Sequence, residues 1–389
     1  MLKRMKGILA EFFRQADLVL LGLCCAATLF GIVLIFSATR YLGSNRNVLV
    51  QSAALLLGIC VYIAFSHVDI EILMKKWKWI LAFNLGFIAL LRTPLGIELY
   101  GNRAWLDIPL LPVNIGPAEI VKITFVLLLA WQMNWLREEK RDLRSFRSAM
   151  FVAGHAIGLC GFYYLISGDM GNGLVFLFIF LCMAFVAGFA LRWFVLLIGS
   201  GAVAVVAAWK LDIMPSHMQE RFRVLFDHSY DPLGAGWHQT RSLLTLGSGG
   251  VTGQGFLNGT QTQSSVSGSL PERHTDFIFS VAGEELGMLG CIVIILILAA
   301  IVVRVLLVAK NAQTSFQCNV CVGMAAMLIF QMIINIGMCL FVMPVIGITL
   351  PFFSYGGSSV VTLFMAMGIV SGVKMRSPAM RRLGRPIRN

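Results

Sequence analysis

Carboxylates, arginines and glycines, residue types that can work as bases, clamp anions and bring backbone close to a ligand, gather in four stretches of an otherwise apolar chain. The densest combines Asp231-Pro-Leu-Gly-Ala-Gly236, the glycine run Gly247–Gly255, Asn258-Gly-Thr-Gln261 and Leu270-Pro-Glu-Arg-His-Thr-Asp-Phe-Ile-Phe279. Asp276 stands where this polar stretch enters a long apolar run. A carboxylate there can cap a helix, or its pKa can rise beside apolar neighbours until it serves as a base. Glu284 and Glu285 lie further along the same run and carry the same potential. The glycine run is not G-x-G-x-x-G after a strand, which excludes a dinucleotide fold. Its backbone could still approach a pyrophosphate closely.

Three more stretches carry polar chemistry. In Gly101-Asn-Arg-Ala-Trp-Leu-Asp107, Arg103 is a candidate cation and Trp105 a candidate contact or interfacial aromatic. In Gly116-Pro-Ala-Glu-Ile-Val-Lys122, Glu119 and Lys122 share a helical face; they either pair with each other or line a polar pocket. Ser167-Gly-Asp-Met-Gly-Asn-Gly173 sets Asp169 in a tight turn. Pro344–Ser359 holds two prolines and three glycines, with Ser354, Tyr355 and Gly356 at its end. That composition forbids a regular helix and predicts a re-entrant loop packed against protein or a water-filled cavity. Five arginines, 103, 221, 223, 241 and 273, could clamp a diphosphate or remain solvated.

The elements that must position these residues are membrane helices. Of 389 residues, 58% are hydrophobic and only 13% charged, with mean hydropathy +0.81. Soluble domains are about 45–50% apolar and about 25% charged, so a soluble enzyme with one buried core is excluded. The fold class is an all-α polytopic membrane protein. About ten spans are expected, at 17–37, 48–66, 77–92, 118–136, 149–167, 173–191, 193–212, 276–308, 317–343 and 359–375. With the N-terminus inside, cytoplasmic segments counted with the span ends that adjoin them carry 21 Lys and Arg against 9 outside, with Lys122 assigned to neither. The positive-inside rule therefore puts both termini in the cytoplasm. Loops 93–117, 213–275 and 344–358 then lie outside, the large one between the seventh and eighth spans.

Residues 1–16 form a basic amphipathic segment suited to an anionic leaflet, residues 17–375 the membrane domain, and 376–389 a basic tail. The net charge of +12 belongs to this membrane topology and not to nucleic-acid binding. All nine cysteines fall in apolar segments, so Cys318-x-x-Cys321 reads as helix packing. The six histidines form no H-x-x-x-H pair, and no metal ligand set is assigned.

Leu270–Phe279 with Gly283-Glu-Glu-Leu-Gly287, taken together with Pro351-Phe-Phe-Ser-Tyr-Gly-Gly-Ser-Ser359, resembles the SEDS family of bacterial proteins, which includes RodA, FtsW and SpoVE. The resemblance runs from about Asp17 to Val373, and the Asp231–Gly236 and Asn258–Gln261 runs lean towards RodA. It implies a peptidoglycan glycosyltransferase that polymerises lipid II at the outer face of the cytoplasmic membrane, with undecaprenyl diphosphate as leaving group. It implies Asp276 as the catalytic residue. As substrate-binding residues it suggests Arg103, Trp105, Glu119, Lys122, Asp169, Arg241, Glu272, Arg273, His274, Thr275, Ser354, Tyr355 and Gly356. This chain departs from the family at Gly116 and Ala118, where Gln and Ser are usual, and around Asp169, where only Asp169 and Gly171 are kept. No cofactor is required by the resemblance, though it leaves room for a divalent cation, Mg or Mn. The implied partners are a class B penicillin-binding protein supplying transpeptidation and other elongation or division proteins. Two other readings of the same residues stay open: a lipid II flippase, and a non-catalytic scaffold for a penicillin-binding protein.

Overall fold

The computed structural model describes residues 12–99, 101–109, 114–139, 141–214, 216–228, 230–231, 233–234, 236–266 and 269–377. Among the described residues, nine helices are long and apolar enough to cross a membrane. They are α1 (Leu18–Thr39), α2 (Arg46–His67), α5 (Pro117–Glu138), α6 (Phe146–Ser167), α7 (Met170–Ala187), α8 (Leu191–Lys210), α11 (Ile278–Lys310), α12 (Ser315–Cys339) and α13 (Gly357–Met375). Between α2 and α5 lie the short α3 (Ile70–Met74) and α4 (Trp77–Ala89), then a hairpin of β1 (Gly96–Leu99) and β2 (Asn102–Leu106). The expected third span, 77–92, corresponds to the 13-residue α4 and a single 3₁₀ turn to Arg92. That is shorter than the roughly 20 residues a full crossing takes.

Helix boundaries follow local chemistry. Asp17, Ser145, Asp169 and Thr314 cap α1, α6, α7 and α12 by accepting from backbone N–H groups in the first turn. Pro117 opens α5 at a position that needs no N–H donor. Two expected spans run too far at their C-terminal ends. The sixth stops at Ala187 because Gly188 turns left-handed (φ +91°), and the ninth stops at Cys339, shortly before Phe341 turns at φ +61°.

The stretch 213–275 holds two helices, α9 (Ser216–Phe226) and α10 (Trp237–Ser248). Its glycine run is wedged into a break in α11. At Gly287 the backbone leaves helical geometry (φ +70°, ψ −165°), and the loop supplies the lost hydrogen bonds. Gln254 and Gly255 donate to the Glu284 and Glu285 carbonyls, while Met288 and Leu289 donate to Gly250 and Val251. A Cβ at Gly249, Gly253 or Gly287 would collide with backbone across this seam. The glycines thus serve close packing of two backbones, not the pyrophosphate approach that their spacing allowed.

The core lies among α5, α12, α13 and the irregular 340–356 segment, where Ile348, Leu350, Phe352 and Phe353 are buried. The buried Pro351 and the closely approaching Phe353 backbone, against which Gly31 leaves no room for a side chain, fit a re-entrant loop packed on protein. No residue of α8 is fully buried, and only Trp193, Phe194 and Leu197 near its start pack against the core, so most of its surface is exposed. At the opposite end, buried Asp17 binds Arg304 (2.8 Å) and Lys374 (3.3 Å), drawing α1, α11 and α13 together. Phe12 is fully buried there, edge-on to Tyr62. The remainder of the basic N-terminal segment and residues 378–389 of the tail lie outside the described residues.

Candidate functional site

Asp276 sits two residues ahead of α11, held by its backbone. Its carbonyl accepts from Asn335 Nδ2 (2.8 Å), which also donates to the Ile348 carbonyl (2.7 Å), so α12 ties the head of α11 to the re-entrant loop. Gly347 (φ +69°) passes so near that a Cβ there would stand 3.8 Å from the Asp276 carboxylate. Burial, reinforced by the Glu272 and Asp169 carboxylates, pushes Asp276 up to about 7, while Arg221 pulls the other way. A carboxyl so poised accepts a proton near neutral pH.

Residues 272–276 form a turn clamped from the far side. Glu272 is held at φ +44° and accepts from Thr275 Oγ1 (2.9 Å). Ser354 Oγ donates to the Thr275 carbonyl (2.6 Å), and Tyr355 N donates to the His274 carbonyl (2.8 Å). The His274 ring lies 5.5 Å from that of Tyr355. Burial lowers the His274 pKa, which favours the neutral ring. Gln51 completes the clamp by bonding the Ser354 carbonyl and the Gly356 N–H.

A second group flanks the first. Lys122 is fully buried and pairs with Glu119 (2.8 Å), whose other oxygen accepts from Ser359 Oγ (3.3 Å). Trp105 packs over Gly116 beside Glu119. Asp169 accepts from Tyr163 Oη (3.0 Å) and from Asn172 N and Nδ2. With Asn102 and Arg221 it lines a cavity of about 190 Å³ bordered by Pro344 and Ile346. A Cβ on Gly171 would strike the Ile346 carbonyl, so the re-entrant loop lies directly on the start of α7.

Three of the candidate arginines are used elsewhere. Arg273 is buried, stacked 3.8 Å over the Tyr41 ring, and donates to the carbonyls of Leu270, Gln261, Thr262 and Ser264. It folds the loop. Arg103 pairs on the surface with Glu98 (3.4 Å), and Arg241 lies 4.1 Å over Trp237. Glu284 and Glu285 are fully buried clamps rather than bases. Glu284 accepts from Thr260 Oγ1 and from the N–H groups of Gln261 and Thr262; Glu285 accepts from Ser37 Oγ and Gln263 Nε2.

Arg221, one of the five candidate arginines, and residues not singled out in the sequence complete the site. Arg221 Nη1 bonds the Val345 carbonyl (2.8 Å) and Gln239 Nε2 bonds that of Met343 (2.7 Å), so α9 and α10 hold the loop that borders the cavity. Gln51 gave no signal beyond being a polar residue inside an apolar run.

No cluster of three His, Cys, Asp or Glu side chains among the described residues could hold a metal ion. The site therefore does not fit a divalent cation bound by protein ligands alone. All nine cysteines are free. Ser371 and Lys374 have the Ser-x-x-Lys spacing of a transpeptidase nucleophile. Here Ser371 Oγ accepts from Asp17 N and Lys374 pairs with Asp17, so both are committed to structure.

The cell cycle protein family of FtsW, RodA and SpoVE matches residues 17–378. The chain belongs to that family. A probable peptidoglycan glycosyltransferase FtsW from Trichlorobacter lovleyi is 32% identical over 380 residues, covering 95% of this chain and 96% of that protein. The peptidoglycan glycosyltransferase MrdB of Escherichia coli K12 is 35% identical over 280 residues, 70% of this chain and 71% of that one. A solved structure described as a peptidoglycan synthase complex that coordinates polymerization and crosslinking contains a chain 30% identical to this one. The two superimpose with a TM-score of 0.76 over 92% of this FtsW/RodA/SpoVE family member and 97% of its counterpart.

Proposed function

We infer that this chain is a peptidoglycan glycosyltransferase that polymerises lipid II at the outer face of the cytoplasmic membrane. The observation that carries the reading is Asp276: a carboxyl raised to about 7, beside a cavity at one end of the helix bundle. The 4-hydroxyl of an incoming lipid II sugar attacks the anomeric carbon of the lipid-linked chain. The C–O bond to the diphosphate breaks, and undecaprenyl diphosphate leaves with its electron pair. Asp276 takes the hydroxyl proton, a step worth about 10²–10⁴-fold by general-base precedent. Glu119, Lys122, Trp105 and Asp169 form the flank against which the substrate sugars rest, while Thr275, His274, Ser354, Tyr355 and Gly356 hold the Asp276 turn in register. Residues 1–16 and 376–389 are the cytoplasmic basic flanks of the membrane domain.

A class B penicillin-binding protein supplies crosslinking in this reading. The similarity to a chain of a complex that coordinates polymerization and crosslinking supports such a pairing. The cavity lies at one end of the bundle, lined by α9, the start of α7, Pro344 and Ile346, which favours chemistry over lipid transport. The test is purified lipid II with the full chain in detergent, alone and with a class B partner, followed as glycan ladders on a gel. Ladders are expected. Their absence under every condition, together with lipid II translocation in liposomes, would replace the polymerase by a flippase.

A further inference from the structure

The leaving group of the proposed reaction carries a diphosphate, and the five external arginines are not equivalent as its binders. Arg103 is spent on Glu98 at the surface, Arg273 on four loop carbonyls, and Arg241 on the face of Trp237. Arg223 lies 5.9 and 6.0 Å from the ring centres of Trp209 and Tyr230, away from the cavity lining. Arg221 differs. It is half-buried on α9 and lines the 190 Å³ cavity together with Asp169, Asn102 and Phe222. One N–H is fixed on the Val345 carbonyl, which aims the planar guanidinium.

Position and charge agree. The re-entrant loop that Arg221 holds continues through Ile346, in the cavity wall, to Gly347, against the Asp276 carboxylate. The charge of Arg221 acts on both Asp276 and Asp169. Asp169 turns its oxygens towards α6 and α7, where Tyr163 and Asn172 respectively donate to them, so it does not close the cavity to an anion. A guanidinium anchored by one donor keeps others for phosphate oxygens, and its fork geometry matches them in pairs.

We propose that the cavity between α9 and the start of α7 is the diphosphate subsite of the donor lipid, with Arg221 as the residue that distinguishes a diphosphate from a monophosphate. The proposal rests on the polymerase reading for the identity of the lipid, but its test does not require turnover. Binding of undecaprenyl diphosphate and of undecaprenyl monophosphate to the detergent-solubilised full chain is measured by thermophoresis for wild type, Arg221→Lys and Arg221→Gln. Arg221→Lys keeps a cation and a donor for the Val345 carbonyl, and so separates phosphate recognition from loop support. Wild type is expected to favour the diphosphate by at least about tenfold, the worth of one charge-assisted hydrogen bond. Both variants should bring the two lipids to within about threefold; if Arg221→Gln does not fold, Arg221→Lys carries the result alone. An unchanged preference in Arg221→Lys would overturn the subsite assignment. A wild type that shows the preference but makes no glycan would instead overturn the polymerase reading.

Discussion

Asp276 combines two properties that pull against each other. It is held in a site that disfavours its charge, yet its proposed role needs that charge. With the carboxyl raised to about 7 from an ordinary value of 3.8, the polymerisation rate should rise with pH through about 7 and fall roughly tenfold per unit below it, read from initial rates between pH 5.5 and 8.5. The stability consequence has the opposite sense. The folded state binds the proton more tightly than the unfolded chain, so stability is full below the unfolded value and declines as pH rises through about 7. Asp276→Asn should therefore raise the thermal midpoint by a few degrees at pH 8, with the gain shrinking towards pH 5. Asp276 was legible in the sequence because a lone carboxylate at the mouth of an apolar run is unusual. The split among the arginines was not. Five candidate arginines look alike until Arg273 turns inward onto carbonyls and Arg221 onto a cavity. Glu284 and Glu285 misled for a related reason: the three donors that occupy Glu284 come from residues 260–262, over twenty positions earlier.

Helices were the most readable elements, since 20-residue apolar runs admit few other structures in a bilayer. What the runs conceal is interruption. The apolar stretch from Ile278 reads as one long helix, yet it breaks at Gly287 and takes the glycine loop into the gap. Backbone pairing between distant segments has no periodicity to betray it. The seam makes Glu284 a structural residue, and Glu284→Ala should strand the buried Gln261 and Thr262 N–H groups at about 1–3 kcal/mol each. That variant is expected to unfold at lower temperature in detergent and to expose residues 254–266 to limited proteolysis, whereas an unchanged cleavage pattern would contradict the clamp. The short α4 was also hidden, because hydropathy does not register where a helix gives way to a 3₁₀ turn ahead of Pro94.

Across the whole molecule, the cavity and the Asp17 ion cluster lie at opposite ends of the bundle, α11 reaching from Asp276 at one to Arg304 at the other. The positive-inside count assigns the cavity end to the outside. In a cysteine-free background, Val266→Cys should react with an impermeant maleimide on intact cells, and Asn311→Cys only after the membrane is opened; the reverse pattern would invert the topology. The most direct test of the account is glycan formation from purified lipid II by wild type and Asp276→Asn, compared at pH 8 in the same detergent. The account predicts ladders from wild type and a loss of at least about 100-fold in the variant, with the variant still folded. Equal polymerisation by the two proteins would contradict Asp276 as the base and return the catalytic role to another residue.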